Sequence, residues 1–284
     1  MFGVSPAYFL SRFGDRFTPH HVTEELTNIA QLGFRGFQLE VFHKAGLRDW
    51  TGGAKRVRRR SAELGIEATQ FVAHFMMEAF SNPTALISDS GPSEMKYVLE
   101  IASLFDECLI ITVPLPAFAF KEPLGQKKYD AYFARLTDKV GRLLELVRNS
   151  ERQLALEILP AALIGGIDGF LRLCDQLDPE PLYFNFDTGH AWAAKENLYL
   201  IPAKLGRRIV GTHLCDNFGH ENVSLRPGAG SIDWRRLIAA LKHVGYGGSL
   251  DLEIICESTR VRREYAAGLK FLDDIWNMWC LNES

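Results

Sequence analysis

Three segments of the chain, "QLGFRGFQLE" (31–40), "AELGIEATQF" (62–71) and "HVGYGGSLDLEI" (243–254), repeat one pattern. A helical run ends, a glycine follows, and a short apolar strand begins. Glycine just past a helix end supplies the left-handed residue that closes many helices. The recurrence of this punctuation commits the chain to alternating helices and strands. Strand-like runs are expected at 2–5, 36–41, 67–72, 109–113, 154–159, 182–187, 209–214 and 249–254. Apolar spacing near i, i+3, i+4 predicts helices over 21–32, 54–64, 93–105, 129–147, 167–177, 234–244 and 257–276, with a proline-interrupted piece near 198–205. Thr18 before Pro19 opens the first of these, because proline has no N–H to lose in a first turn.

Eight strand–helix units at roughly 30-residue spacing, with no Ser/Gly-rich or charged linker, predict a single-domain α/β chain, a (β/α)8 or TIM barrel, over residues 1–284. An open doubly wound sheet binding dinucleotides would want GxGxxG after its first strand, and "GVSPAYFLSRFG" lacks it. A net charge of −3 gives no bulk attraction to nucleic acid or acidic membranes. The five scattered cysteines contain no CxxC pair, which reads as reduced thiols and a cytoplasmic location. "MFGVSPAYFL" lacks the basic and long apolar regions of a signal peptide, and no apolar run is long enough to cross a bilayer.

In a barrel the active site lies in the loops after the strands. Strand side chains alternate between faces, so each run sorts into an outward apolar set and an inward set. The inward sets of four successive strands end in Glu157, Asp187, His213 and Glu253. Each has an ordinary reading too: a strand-end glutamate as a solvated rim, Asp187 in "FNFDTGHAW" as a helix cap, His213 as a hydrogen-bonded core histidine. Their coincidence at one end favours a metal site, because uncompensated carboxylates repel in a desolvated pocket. Three oxygen donors and one imidazole suit one divalent ion, Mn²⁺ or Mg²⁺ first, with Co²⁺ or Zn²⁺ also possible. His190 stands just beyond, within reach of a substrate.

The pieces "GVSPAYFL", "LGFRGFQLE", "LALEILP", "NFDTGHA", "GTHLCDN", "RPGAGSIDW" and "GYGGSLDLEI" span nearly the whole chain. With them it resembles the xylose isomerase-like TIM-barrel superfamily, in its sugar phosphate isomerase/epimerase branch. That branch holds ketose 3-epimerases, hydroxypyruvate isomerases and inosose dehydratases, with endonuclease IV a more distant relative. The resemblance implies that Glu157, Asp187, His213 and Glu253 are metal ligands, that Glu157 and Glu253 also serve as acid and base, and that His190 contacts substrate. It implies a small sugar- or polyol-derived carbonyl compound as substrate, isomerised or epimerised through an enediolate. A dehydratase is the alternative, with a phosphodiesterase or a non-catalytic sugar-binding barrel behind it.

The chain departs from the resemblance in places. The extra histidines of the DNA-cleaving relatives are missing after strand four, and their Asp-x-His after strand seven is absent, which favours one metal. The arginine expected soon after the strand-seven histidine is replaced by Asn217 and His220, with Arg226 later, and the usual Gly-Glu-Gly reads Gly228-Ala229-Gly230. His74, Glu40, Asp216 and Arg226 complete the candidate substrate contacts; alternatively His74 hydrogen-bonds inside the barrel mouth, Glu40 is a supporting or surface-rim group, and Asp216 supports His213 or a loop. "KRVRRR" (55–60) reads as a solvated helix face rather than a nucleic-acid patch. "FMMEAF" and "PLPAFAF" are expected to wall the pocket or to pack between subunits. "DIWNMWCL" either marks a homo-oligomer contact or docks the last helix.

Overall fold

A computed structural model describes the backbone of residues 1–280 and the side chains of residues 1–278. The eight expected strands all form: β1 (Phe2–Val4), β2 (Gly36–Glu40), β3 (Glu67–Val72), β4 (Ile110–Leu115), β5 (Gln153–Ile158), β6 (Tyr183–Asp187), β7 (Ile209–His213) and β8 (Leu250–Leu252). They are parallel and ordered β7-β6-β5-β4-β3-β2-β1-β8. A parallel bridge between Leu214 and Leu252, with Leu214 N–H donating to Asp251 O at 2.8 Å and Glu253 N–H to Leu214 O at 3.0 Å, joins β7 to β8 and closes the barrel.

Helices occupy the outside: α1 (Ala7–Phe13), α2 (Pro19–Gln31), α3 (Leu47–Leu64), α4 (Pro83–Ile87), α5 (Pro92–Ala102), α6 (Gln126–Arg148), α7 (Ile167–Leu177), α8 (Thr188–Ala193), α9 (Ile201–Leu205), α10 (Trp234–His243) and α11 (Val261–Cys280). The seven expected helices are present; most ends shift by a few residues, but α3 begins at Leu47, seven residues before the expected 54. α1, α4, α8 and a 3₁₀ segment at His74–Phe80 were not anticipated. All of them lie in loops on the C-terminal side of strands. Gly33, Gly65 and Gly245 have φ of 99°, 64° and 73°, as the helix-ending role requires.

The outward strand residues, among them Phe37, Leu39, Phe71, Ile111, Leu156, Phe184 and Phe186, are buried against the helices. The inward layer is polar: Gln38, Gln70, Thr112, Asn185 and Asp251 are buried inside the barrel. Buried polar groups are tolerable only when hydrogen-bonded, and these bond to one another. Gln70 Nε2 donates to Asn185 Oδ1 at 3.0 Å, Thr112 Oγ1 donates to Gln70 Oε1, and Gln38 Nε2 donates to Asp251 Oδ2 at 2.8 Å. Two glycines make room for this layer. A Cβ on Gly3 would fall 2.0 Å from Asp251 Oδ1, and one on Gly211 would fall 2.6 Å from Asn185 Oδ1.

Cys108, Cys174, Cys215 and Cys256 are free thiols. The "KRVRRR" run lies on α3, where Val57 is buried, Arg58 meets Asp106 and Arg60 bonds Glu63 and Thr27, as expected of a solvated face. In "DIWNMWCL", Ile275 is buried and the Trp276 ring sits 4.2 Å from Lys242 Nζ of α10, so this part of α11 docks on the barrel. The side chains of residues 279–280, and residue 281, lie outside the described residues. No helix among the described residues is long and apolar enough to cross a membrane.

Candidate metal centre and substrate pocket

β5, β6 and β7 end in Glu157, Asp187 and His213, and Glu253 follows β8 directly. Strand pairing sets Asp187 opposite His213 in register. Glu157, Asp187 and His213 each bring a ligand-type atom within 4.8 Å of the others. His213 Nδ1 lies 2.9 Å from Glu253 Oε2, 3.1 Å from Glu157 Oε2 and 3.9 Å from Asp187 Oδ2. The structure thus brings together all four residues that the strand alternation singled out.

These groups perturb each other strongly. Burial pushes Asp187 up to about 7, against the pull of His190. Burial alone would raise Glu157 as well, but the His213 imidazole beside it and the Asn185 amide at 3.1 Å bring it down to about 2. Burial disfavours a charged His213, yet Glu157 and Glu253 outweigh it and hold the ring's proton affinity well above the usual range. Cations are therefore favoured between these carboxylates.

The donor set fits a divalent ion. Among the described residues, Asp187 Oδ2 and His213 Nδ1 are the buried side-chain oxygen and nitrogen left without a hydrogen-bond partner. Orphaned buried polar atoms are costly, and these two face the same space with Glu157 and Glu253 beside them. Three carboxylates and one imidazole could hold Mn²⁺ or Mg²⁺, and a Co²⁺ or Zn²⁺ ion as well. Asp187 combines both readings made of it: its Oδ1 caps α8 by accepting His190 N–H at 2.6 Å, and its Oδ2 faces the cluster.

The pocket above the cluster has an empty volume of about 480 Å³, open solvent at its mouth included. His190 reaches it from α8, with Nε2 at 3.5 Å from Glu157 Oε1 and 3.7 Å from Asp187 Oδ2. Its other nitrogen meets Asn222 Nδ2 at 3.1 Å. Asn222 Oδ1 already accepts Ser224 N–H at 3.1 Å, so the Asn222 amine faces the ring. In neutral His190 the ring proton is then on Nε2, aimed at the carboxylates.

Across the pocket stand Glu40 and His74, 3.4 Å apart. Burial raises Glu40; burial also opposes charge on His74, but Glu40 reverses this and raises it. The His74 ring stacks on Phe42 with centroids 4.0 Å apart. Phe42, Met77, Leu10 and Ile255 add apolar surface. From "FMMEAF" only Met77 lines the pocket, and from "PLPAFAF" only Pro114; Phe118 packs on Tyr132 and Phe120 is exposed.

Two candidates are not brought to the pocket. Asp216 is buried in the loop after β7, accepting the backbone N–H groups of Asn217, Gly228 and Ile232 and the indole N–H of Trp234. It organises that loop and makes no bond to His213. Arg226 turns outward to Glu264 of α11 at 3.3 Å. Sequence reasoning missed Asn222, Phe42, and the buried amides Gln38 and Asn185 beneath the cluster. For the two amides a signal existed, since each lies two residues before an inward strand-end residue.

A closed parallel barrel with an acid–histidine cluster at its C-terminal mouth defines the class of protein. The chain belongs to the xylose isomerase-like TIM barrel family, whose model matches residues 26–275. Among curated proteins it is similar to the uncharacterized protein MJ1311 of Methanocaldococcus jannaschii, 28% identical over 88 residues. It is also similar to the uncharacterized protein y4fM of Sinorhizobium fredii, 28% identical over 91 residues. These matches span about 30% of this chain and of each relative. Among solved structures, the 3-keto-D-glucoside 4-epimerase YcjR from E. coli superposes with a TM-score of 0.77 at 18% identity, covering 96% of this chain and 98% of that one. The D-psicose 3-epimerase of Clostridium cellulolyticum H10, solved with D-tagatose, gives 0.75 at 15% identity over 97% and 99%. The IOLI protein, solved with a zinc atom, gives 0.77 at 13% identity over 98% of each chain.

Proposed function

We propose that the protein is a divalent-metal-dependent isomerase or epimerase of a small polyhydroxy carbonyl compound. The observation that carries this is the pair of orphaned atoms, Asp187 Oδ2 and His213 Nδ1, facing one space flanked by Glu157 and Glu253. Glu157, Asp187, His213 and Glu253 would hold the ion, Mn²⁺ or Mg²⁺ by the excess of oxygen donors. When bound, the ion polarises the substrate carbonyl and offsets charge developing on its oxygen. Of Glu157 and Glu253, one removes the proton from the carbon beside the carbonyl. The other returns a proton to the opposite face (epimerisation), or the proton is delivered to the neighbouring carbon (isomerisation). Glu157, held low by the His213 imidazole beside it, is ionised at neutral pH, the state a proton acceptor needs. His190, fixed by Asn222, hydrogen-bonds a substrate hydroxyl, and Phe42, Met77 and Leu10 shield the reaction from water.

The sugar epimerases among the structural neighbours support this reading. A dehydratase is the second reading, and the Glu40–His74 pair supports it: a histidine whose proton affinity is raised by a buried carboxylate can protonate a departing hydroxyl. Among the described residues lining the pocket there is no lysine or arginine, which speaks against a phosphate ester.

The test is mass spectrometry of ketoses, inososes and hydroxypyruvate incubated in D₂O with Mn²⁺-loaded protein and with Glu253→Gln. One deuterium gained by wild type and not by the variant supports proton abstraction at the site. Loss of water from a substrate moves the assignment to dehydratase. No change in any compound by a protein that binds Mn²⁺ would count against the isomerase reading.

A further inference from the structure

Beneath His213 the barrel interior holds a buried amide that nothing in the proposed chemistry uses. Gln38 lies on β2, three strands from β7 around the barrel, and its side chain is fully enclosed. Gln38 Oε1 sits 2.8 Å from His213 Nε2. Its amide nitrogen lies 2.8 Å from Asp251 Oδ2 and 3.4 Å from the Thr212 carbonyl oxygen. The Thr212 carbonyl can only accept. Asp251 is already an acceptor from Thr69 Oγ1 at 3.0 Å and Ser249 Oγ at 2.5 Å. The Gln38 amine therefore faces these two acceptors, and its oxygen is turned to the imidazole. An amide oxygen only accepts, so His213 Nε2 must carry a hydrogen. The lone pair of a neutral ring is then left on Nδ1, the atom that faces Glu157, Glu253 and Asp187.

We infer that Gln38, held in turn by Asp251, is the positioning residue that fixes the tautomer and ring plane of His213 for a divalent cation. The inference rests on the metal-site reading above and deepens it. Two features show that the arrangement is built. Gly3 leaves the space that Asp251 Oδ1 occupies, which any side chain at position 3 would fill. A matching chain, Thr112 to Gln70 to Asn185 to Glu157, orients a second ligand from the same interior layer. Outer partners of this kind raise ligand basicity and remove rotational freedom, and their loss typically weakens metal affinity about 10–100-fold.

The experiment compares wild type, Gln38→Leu and the double variant Gln38→Glu/Asp251→Asn. The double variant exchanges amide and carboxylate but restores an acceptor to His213 and a donor behind it. Mn²⁺ binding is measured by calorimetry, folding by circular dichroism, and the His213 ring nitrogens by ¹⁵N NMR of the Zn²⁺-loaded protein. The expected result is a proton on Nε2 in wild type, Mn²⁺ affinity about 10–100-fold weaker in Gln38→Leu, and recovery of most of that loss in the double variant. A proton on Nδ1 of the Zn²⁺-loaded wild type overturns the inference even if neither variant folds. So does a folded Gln38→Leu that binds Mn²⁺ within about twofold of wild type, or a folded double variant without recovery. A wild type that binds neither ion overturns the metal-site reading itself, and the inference falls with it.

Discussion

Asp187 and His190 are tied by a 2.6 Å bond from the His190 backbone N–H to Asp187 Oδ1, while Asp187 Oδ2 is left for the cluster. One carboxylate thus starts α8 and offers a ligand, and the helix start fixes where His190 stands. The two oxygens can be separated by substitution. Asp187→Asn keeps an oxygen for the cap but turns an amine towards the cluster. Mn²⁺ affinity should fall by more than the roughly 10–100-fold typical of losing an outer partner, while the metal-free protein should melt higher above neutral pH, because a buried charge is removed. Asp187→Ala should add about 1 kcal/mol of destabilisation for the lost cap. Calorimetric Mn²⁺ titration and thermal melts check both.

The pH dependence follows from the same residue. Asp187 titrates near 7 in the folded chain against 3.8 for a free side chain. The folded state therefore binds this proton more tightly than the unfolded state across that interval. The stability it contributes is complete below about pH 4 and is lost as pH rises through 7. His213, also raised, acts in the same direction above neutrality. Glu157 is lowered to about 2, so its contribution is lost only below about pH 4.5. In EDTA, the melting temperature attributable to the cluster should fall from pH 5 to pH 8. Added Mn²⁺ should then raise it more at pH 8 than at pH 6, because fewer protons compete for the ligands. An equal Mn²⁺ shift at both values would contradict the coupling.

The barrel was legible because two periodicities act independently. Glycine after helix ends marks three of the returns to the sheet, and alternation within each strand sorts inward from outward residues. Glu157, Asp187, His213 and Glu253 needed nothing more. Contacts made across the barrel were not legible. Gln38 reaches His213 across 175 positions of sequence, and Asn222 reaches His190 across 32. No local pattern encodes such pairs. α1 was hidden because "AYFLSRF" follows β1 so closely that its apolar residues read as one run, although Pro6 precedes it and Gly14, with φ of 75°, closes it. Arg226 was drawn towards the substrate by chain proximity, yet Glu264 offered a nearer partner, while Asp216 takes the loop-supporting role that was its alternative reading.

Asn222 supplies a test of the pocket apart from the ion. Removing its amine in Asn222→Ala leaves His190 free to rotate and to change tautomer. With His190 as a substrate contact, kcat/KM should fall about tenfold, equivalent to about 1.4 kcal/mol of transition-state stabilisation. Mn²⁺ affinity should stay within about twofold, since Asn222 touches no proposed ligand carboxylate. Steady-state kinetics on whichever compound takes up deuterium, with a parallel Mn²⁺ titration, separates the two effects. Loss of Mn²⁺ binding in this variant would place Asn222 in support of the cluster.

The wall that carries His74 and Met77 depends on a lysine in a different element. Lys139 of α6 is almost wholly buried and donates to the carbonyl oxygens of Ala79 (3.1 Å), Ala85 (2.7 Å) and Ser90 (3.1 Å). An ammonium group has three N–H donors, and all three are used on the segment that follows β3. Lys139→Met keeps an unbranched stem but leaves three carbonyls short of a partner. Bonds to a charged donor contribute about 1.5–3 kcal/mol each before relaxation, so a net loss of about 2 kcal/mol is expected, or roughly 3 °C in Tm for a chain of this size. The loss should be local. Hydrogen exchange should quicken over residues 79–90 while β5–β7 keep their protection, and substrate binding should weaken more than Mn²⁺ binding because His74 and Met77 belong to the loosened segment. Uniformly faster exchange over the whole barrel would show that Lys139 supports the core and not this wall.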